Sequence, residues 1–174
     1  MPEDAKYDQH YRDDPAACGA PFSEFESFCS SVAPGSVLDL GCGQGRDSLM
    51  FARAGHQVVG IDVSSVGITQ LREAAEIEAL DVHAVVSDVR FYKPDRRFDI
   101  VILDRVLHML PADARREVLQ MGMGAVEPGG HLLVAEGAKG MVTIRKIVEQ
   151  SGWALMLAKP NRLISKRSEP FCDE

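Results

Sequence analysis

Apolar and polar positions alternate in blocks along most of this chain. From residue 36, short apolar runs typical of buried strands are separated by stretches with helical spacing. Strands are predicted over residues 37–40, 57–61, 82–86, 98–103 and 131–136, and a closing hairpin over 153–158 and 162–166. Helices are predicted over residues 48–54, 65–79, 112–126 and 142–151. This order predicts an α/β fold with helices on both faces of a mostly parallel sheet and an antiparallel last strand.

The first 33 residues follow a different pattern. Tyr7 and Tyr11 are four residues apart and would share one face of a helix. A second apolar group recurs at helical spacing before a break at residues 33–35: Phe22, Phe25, Phe28 and Cys29. We therefore predict a single domain over residues 1–174, with a helical cap at 1–33 and a ligand-binding core at 34–174.

The composition and charge of the chain argue against several classes of protein. A net charge of −7 argues against a general nucleic-acid binder. No run approaches the roughly 18 apolar residues of a membrane span, and the acidic N-terminus is unlike a secretory signal. The four cysteines share no close spacing: Cys18, Cys29, Cys42 and Cys172. These features predict a cytoplasmic protein with reduced thiols and no metal site.

A glycine-rich turn follows the first predicted strand. Gly41, Gly43 and Gly45 stand at alternate positions and leave a backbone with few Cβ atoms, so a ligand can lie against main-chain amides. The helix behind the turn adds a positive dipole end. This arrangement predicts a site for a nucleotide-like ligand.

Acidic residues stand at or just beyond the ends of four predicted strands: Asp39, Asp62, Asp88 and Asp104. Ligands of open α/β sheets bind at these carboxyl ends. Asp62 is placed to accept hydrogen bonds from two ribose hydroxyls, and Asp88 with Val89 to meet an adenine. Asp62 and Asp88 also have a plainer interpretation, since aspartate is a favoured helix cap.

Two cofactors compete for this site. A dinucleotide fingerprint requires a glycine at position 46, where this chain has Arg46. Asp39 precedes the first glycine by two residues, where a carboxylate would repel a pyrophosphate and attract the ammonium of an amino-acid-like cofactor. The residues therefore favour S-adenosylmethionine over NAD, and an NAD-linked oxidoreductase remains a lesser alternative.

These motifs resemble the class I S-adenosylmethionine-dependent methyltransferases. The resemblance rests on residues 37–62, Asp88, Asp104, the Glu-Pro-Gly-Gly stretch at 127–130 and the closing hairpin, and extends over 36–166. The wording of residues 38–49 is similar to the small branch with tellurite-resistance and thiopurine methyltransferases. The resemblance implies a Rossmann-like, doubly wound sheet of seven strands.

The family also implies roles for matching positions. The glycines would pass under the methionine moiety, and Asp39 would position its amino group. Independently of the family pattern, Tyr11 is a candidate lid over the cofactor, with simple packing of the cap as its alternative. The predicted cofactor-binding residues are Asp39, Gly41, Cys42, Gly43, Gly45, Arg46, Asp62, Val63, Asp88, Val89, Asp104 and Tyr11. Cys42 has the alternative interpretation of a small buried filler, and Arg46 that of a surface helix charge.

The family places acceptor-facing residues after the fourth strand. His108 is the candidate base, with Asp104 as its partner or as an acceptor-orienting group, and Arg105 or Arg46 could attract an anionic acceptor. His108 can equally be a helix-start residue with a satisfied ring. Only residues 137–140 separate the fifth strand from its helix, which favours a compact small-molecule acceptor, and the resemblance also admits tellurite or selenite. We expect a monomer or a homodimer.

Two other functions fit the same cofactor loop. One is a methyltransferase that acts on a protein or an RNA, although the acidic balance makes RNA the weaker candidate. The other is a non-catalytic protein that binds S-adenosylmethionine and methylates nothing.

Overall fold

The computed structural model describes residues 3–169, so Cys172 lies outside the described residues. The chain divides into two compact units, Met1–Tyr92 and Lys93–Glu174. The predicted division into a cap and a core within one domain stays a prediction.

The first unit begins with two helices and continues with three parallel strands. Its elements are α1 (Glu3–Asp13), α2 (Ser23–Ser31), β1 (Ser36–Leu40), α3 (Arg46–Arg53), β2 (Gln57–Asp62), α4 (Ser65–Ile77) and β3 (Val82–Val86). β2 pairs with both β1 and β3 in parallel, so Leu40 lies beside Ile61 and Asp62 beside Val86. All three carboxyl ends therefore lie at one edge of the sheet. Below that edge, α4 packs on the sheet through a buried cluster of Cys42, Ile68, Leu71 and Ala84.

The second unit supplies the remaining strands. Its elements are β4 (Phe98–Asp104), a 3-10 turn (Leu107–Met109), α5 (Ala112–Gly124), β5 (Val126–Ala135), α6 (Ala138–Gln150), β6 (Ala154–Lys159) and β7 (Arg162–Lys166). β4 and β5 are parallel, whereas β7 is antiparallel to both β5 and β6. Leu132, Leu133 and Val134 of β5 are fully buried and form the centre of this unit.

The seven strands form one sheet, to which the first unit contributes β3-β2-β1 and the second β4-β5-β7-β6. This confirms the predicted seven-stranded, mostly parallel sheet with an antiparallel last strand. Three predicted boundaries were wrong. β5 begins at Val126, because the predicted turn at 128–130 is paired through Gly129 N and Gly130 O with Arg167. α3 begins at Arg46, directly after Gly45.

α6 begins at Ala138, four residues before the predicted start. The Glu136 carboxylate accepts a 2.7 Å hydrogen bond from Gly137 N, and the helix starts immediately after this contact. The connection from β5 to α6 is therefore even shorter than the sequence indicates.

Candidate functional site

The glycine turn has a backbone conformation that favours glycine at three positions. Gly41, Gly43 and Gly45 have φ angles of 80°, 53° and 87°, which side chains with a Cβ rarely adopt. A Cβ on Gly45 would lie 2.2 Å from Leu71 Cδ1, and one on Gly43 would lie 2.6 Å from the Tyr11 hydroxyl. Leu71 and Tyr11 therefore pack so closely against the turn that only glycine fits at positions 45 and 43.

Asp62 fixes the turn from the end of β2. Its Oδ2 accepts from Gly43 N and its Oδ1 from Ser64 N, each at 2.8 Å. Burial raises the pKa of this carboxyl, and the hydrogen bonds from Ser64 and Gly43 oppose that rise. Each carboxylate oxygen can accept a further hydrogen bond, so Asp62 retains the capacity to bind hydroxyls of a ligand.

Asp39 lies beneath the turn and is 2% exposed. The Ser48 hydroxyl donates a 2.7 Å hydrogen bond to its Oδ2. Burial, and secondarily the negative charge of Asp47, raises the pKa of Asp39 to about 7. Contact between Asp39 and a cofactor amino group stays a prediction, and the sequence did not single out Ser48 as its partner.

The raised pKa of Asp39 gives a testable dependence of stability on pH. The folded carboxyl keeps its proton up to about pH 7, whereas the unfolded one loses it near 3.8. The contribution of Asp39 to stability is therefore present below pH 3.8 and is lost as the pH rises towards 7. At pH 8, Asp39→Asn should raise the free energy of unfolding by roughly 1–3 kcal/mol, because an amide avoids the cost of a buried charge.

Urea denaturation at pH 4, 6 and 8 checks this prediction. The difference between Asp39→Asn and the native chain should grow with pH, whereas Asp81→Asn, at an exposed position, should leave the profile unchanged. A difference between Asp39→Asn and native that does not vary with pH would refute the raised pKa.

Arg46 is buried rather than exposed at the surface of α3. Its guanidinium lies 2.7 Å from Asp47 Oδ2, and its side chain is only 7% exposed. Nη1 donates to Cys18 O at 3.1 Å, and the guanidinium stacks over the Phe22 ring. Arg46 therefore ties the start of α3 to residues 18–22. Attraction of an acceptor or cofactor by Arg46 stays a prediction.

The segment before β1 packs over the glycine turn, through contacts that the sequence did not indicate. Gln44 Nε2 donates to Asp14 O at 2.9 Å, and Gln44 Oε1 accepts from Cys18 N at 3.2 Å. Tyr11 is half-buried. Burial raises the pKa of its phenol, and its carbonyl accepts from Gln70. The predicted closure of Tyr11 over a bound cofactor stays a prediction, but its hydroxyl lies against Gly43.

Asp8 joins α1 to the start of α4. Its Oδ1 accepts from the Ser64 hydroxyl at 2.6 Å and from Val66 N at 3.1 Å, and its Oδ2 accepts from Ser65. Asp8 thus caps a helix that begins 57 residues later in the chain, which no local sequence signal indicates. The Ser64 hydrogen bond lowers the pKa of Asp8.

Asp8→Ala should detach α1 from α4. We expect proteolytic cleavage within residues 7–20 to become several-fold faster, because the variant loses three hydrogen bonds to a charged group. Asp13→Ala is the matched control, since the Asp13 carboxylate accepts from Gln9 on the same helix. Because the pKa of Asp8 is lowered, its stabilisation is present above pH 3.8 and is lost as the pH falls through the folded value. Equal cleavage of Asp8→Ala and Asp13→Ala would show that Asp8 does not hold the segment.

The end of β3 carries the residues predicted to meet adenine. Asp88 forms an ion pair with Arg90, whose Nε lies 2.9 Å from Oδ2, and this pair lowers the pKa of Asp88. Val89 is buried and Val63, after β2, is half-buried. The Asp88 carboxylate is therefore ionised at neutral pH, and its contact with an adenine stays a prediction.

The end of β4 carries the predicted acceptor-facing residues. Asp104 is buried and forms an ion pair with Arg105, with 3.2 Å between Oδ1 and Nε. Arg105 adopts a positive φ of 55° without being glycine, a conformation that recurs at functional sites. The attraction of an acceptor by Arg105 and the orienting role of Asp104 stay predictions.

His108 lies beside a carboxylate that the sequence analysis did not consider. Its Nδ1 lies 3.0 Å from Glu136 Oε1, and its backbone amide donates to Glu136 Oε2 at 2.8 Å. Glu136 is 6% exposed, whereas the His108 side chain is 45% exposed. When Nδ1–H donates a hydrogen bond to Glu136, the lone pair of the neutral ring is on Nε2. Glu136 directly follows β5, which is the same signal that identified the other four acids.

His108 and Glu136 line a cavity of about 640 Å³ in the second unit. Its other lining residues come from α5, from α6 and from the turns before them: Leu107, Ala112, Arg115, Arg116, Leu119, Gly137, Ala138, Lys139, Gly140, Thr143, Ile144 and Ile147. The volume lies within the range of roughly 300–1,000 Å³ typical of small-molecule sites.

Within residues 3–169, no helix is long and apolar enough to cross a membrane. The same residues contain no group of three or more potential ligands placed to hold a metal ion.

Comparison with known proteins places this α/β chain in a family. Residues 37–130, more than half of the chain, match the family described as "Methyltransferase domain". The chain therefore belongs to the methyltransferase-domain family, which confirms the resemblance drawn from its motifs.

Two curated relatives come from different organisms. The chain is 28% identical over 103 residues to the probable S-adenosyl-L-methionine-dependent methyltransferase TehB of Haemophilus influenzae, covering 59% of this chain and 36% of that protein. It is 33% identical over 102 residues to the 2-heptyl-1-hydroxyquinolin-4(1H)-one methyltransferase of Mycobacteroides abscessus, covering 58% and 45%. The match thus spans less than half the length of these relatives.

A solved structure shows the fold over more of the chain. The 1,6-didemethyltoxoflavin-N1-methyltransferase of Burkholderia thailandensis superposes with a TM-score of 0.78 at 17% identity, covering 95% of this chain and 87% of that one. That structure contains bound 1,6-didemethyltoxoflavin and S-adenosylhomocysteine.

Proposed function

We propose that this chain binds S-adenosylmethionine at the glycine turn and transfers its methyl group to a small-molecule acceptor. The observation that carries the proposal is the Asp62 carboxylate, which is fixed by Gly43 N and Ser64 N at the end of β2. The residues present fit this cofactor. Gly41 of the glycine turn is only half-buried, Asp62 can accept from ribose hydroxyls, and Asp88 with Val89 matches an adenine.

When bound, S-adenosylmethionine supplies a methyl group activated by a sulfonium for in-line displacement. The task of the chain is to align the reactants and exclude water, which can lower the barrier by several kcal/mol. Gly41, Cys42, Gly43 and Gly45 would hold the methionine moiety, with Asp39 near its amino group. An ammonium beside Asp39 would favour the ionised form, which burial disfavours in the free protein.

His108 would accept the proton that the acceptor loses. Its Nε2 is available because Nδ1 donates to Glu136, and 45% exposure of its side chain leaves it accessible to an acceptor. Glu136 is thus a positioning residue, which holds both the ring and the backbone amide of His108. Asp104 and Arg105 would orient the acceptor from the end of β4.

A small-molecule acceptor is supported by the cavity of the second unit and by the short connection from β5 to α6. Two similar proteins named for small-molecule substrates add to this support, namely the 2-heptyl-1-hydroxyquinolin-4(1H)-one and 1,6-didemethyltoxoflavin methyltransferases. A cytoplasmic location and a monomeric or homodimeric state are proposed with it.

Transfer of a labelled methyl group tests the proposal. The chain would be incubated with methyl-labelled S-adenosylmethionine and, separately, with phenols, amines, thiols, metalloid oxyanions, bulk protein and RNA. We expect label in a small-molecule product. Label confined to protein or RNA would overturn the acceptor class, and no transfer despite tight binding of S-adenosylhomocysteine would leave a non-catalytic binding protein.

A further inference from the structure

The cavity of the second unit has an apolar interior. Leu107, Leu119, Ile144 and Ile147 contribute aliphatic surface to its walls. Its volume of about 640 Å³ is many times the ~30 Å³ of one water molecule. A small inorganic oxyanion would leave this apolar surface in contact with water, whereas an organic molecule would cover it. The walls therefore favour an acceptor with a substantial apolar body.

Two cations line the same cavity without an acidic partner. Arg116 and Lys139 are exposed, and neither forms an ion pair with any residue in the described part of the chain. Arg115 differs, because it donates to the carbonyls of Leu110 and His108 and so fixes the backbone there. Glu136 is the carboxylate of the lining, and its oxygens are already bonded to His108 and Gly137. The cavity thus offers a ligand two positive charges without an ion-pair partner, whereas its one carboxylate is already hydrogen-bonded.

Two helices begin at this cavity and add to its positive potential. Ala112 is the first residue of α5, and Ala138 is the first of α6. The first helical hydrogen bond of α6 is donated by Met141 N to Gly137 O. The amides of Ala138, Lys139 and Gly140 have no partner within residues 3–169. Free amides and the dipole at a helix N-terminus favour an anion.

We infer that the cavity binds an apolar organic acid, with its anionic group beside Arg116 and Lys139 and its body on the aliphatic walls. This inference rests on the proposed function, since it names the class of acceptor that the methyltransferase would use. The anionic group is the anchor, and the methylated atom belongs to another part of the molecule, within reach of His108.

Matched aromatic probes test the inference directly. Binding of 1-naphthoate and of its neutral counterpart 1-naphthamide to the full chain would be measured by ligand-observed NMR, with and without S-adenosylhomocysteine. We expect the naphthoate to bind at least about ten-fold more tightly than the naphthamide, because only the acid meets the two cations. This preference should weaken as salt is raised, since both cations are exposed.

The double variant Arg116→Gln/Lys139→Gln should reduce the preference to about two-fold or less, while Lys146→Gln, on an exposed part of α6 outside the cavity, should retain it. Equal binding of the two probes, no binding of either, or a preference that survives in the double variant would overturn the inference. Binding of naphthoate without binding of S-adenosylhomocysteine would overturn the proposed function and retain the anion site. The reverse result would overturn only the anion site.

Discussion

Asp62→Ala should lower the affinity of the chain for S-adenosylhomocysteine at least 100-fold. The native carboxylate has two effects on binding, since it holds the amides of Gly43 and Ser64 and would accept from the ribose. Hydrogen bonds to a charged group are worth about 1.5–3 kcal/mol each, and the loss of two corresponds to at least 100-fold in affinity. Isothermal titration calorimetry measures the change.

Asp81→Ala is the matched control for this variant. Asp81 is an exposed acid just before β3, and its contact with Val58 uses only the backbone carbonyl, which the substitution keeps. The control should bind S-adenosylhomocysteine as the native chain does, and the circular dichroism of both variants should remain native. Native affinity in a folded Asp62→Ala chain would exclude the cofactor site at the glycine turn.

His108→Ala should lower kcat about 10²- to 10⁴-fold for an acceptor that loses a proton, because general-base catalysis contributes rate factors of that size. Affinity for S-adenosylhomocysteine should stay within about two-fold of native, since His108 belongs to the acceptor side. The defect should shrink when the pH exceeds the pKa of the acceptor, because an ionised acceptor needs no base. Single-turnover transfer of labelled methyl gives both quantities.

Glu136→Gln separates positioning from chemistry. Glutamine keeps the shape of the glutamate side chain but has only one acceptor oxygen. The backbone amides of His108 and Gly137 would compete for that oxygen, and the His108 ring would lose its carboxylate partner. We expect a smaller loss of kcat than for His108→Ala and an altered pH profile. His83→Ala, at an exposed position on β3, should have no effect.

Full activity of His108→Ala at a pH where the acceptor is protonated would show that His108 is not the base.

Much of the fold follows from local patterns in the sequence. Each strand has its own apolar run, and the conformation of the glycine turn follows from residues that lie next to each other in the chain. The prediction of a turn at 128–130 was wrong. Pro-Gly-Gly is a strong local turn signal, but the backbone of this segment is paired with Arg167, almost forty residues later in the chain.

Site residues that lie beside a strand end could be predicted from the sequence. Contacts between residues that are far apart in the chain could not. Asp62 and the glycines are adjacent to β2 and β1. Asp8 reaches Ser64 across more than fifty residues, and nothing near Asp8 in the sequence indicates that contact. Glu136 was available from the sequence by the rule that identified Asp104, but its pairing with His108 required the tertiary structure.

Calorimetric titration of the native chain with S-adenosylhomocysteine measures whether the glycine turn binds S-adenosylmethionine. NADH serves as the competing ligand, since a dinucleotide is the other ligand class for such a turn. We expect saturable binding of S-adenosylhomocysteine at one site per chain and no binding of NADH. Tight binding of NADH with no heat from S-adenosylhomocysteine would contradict it.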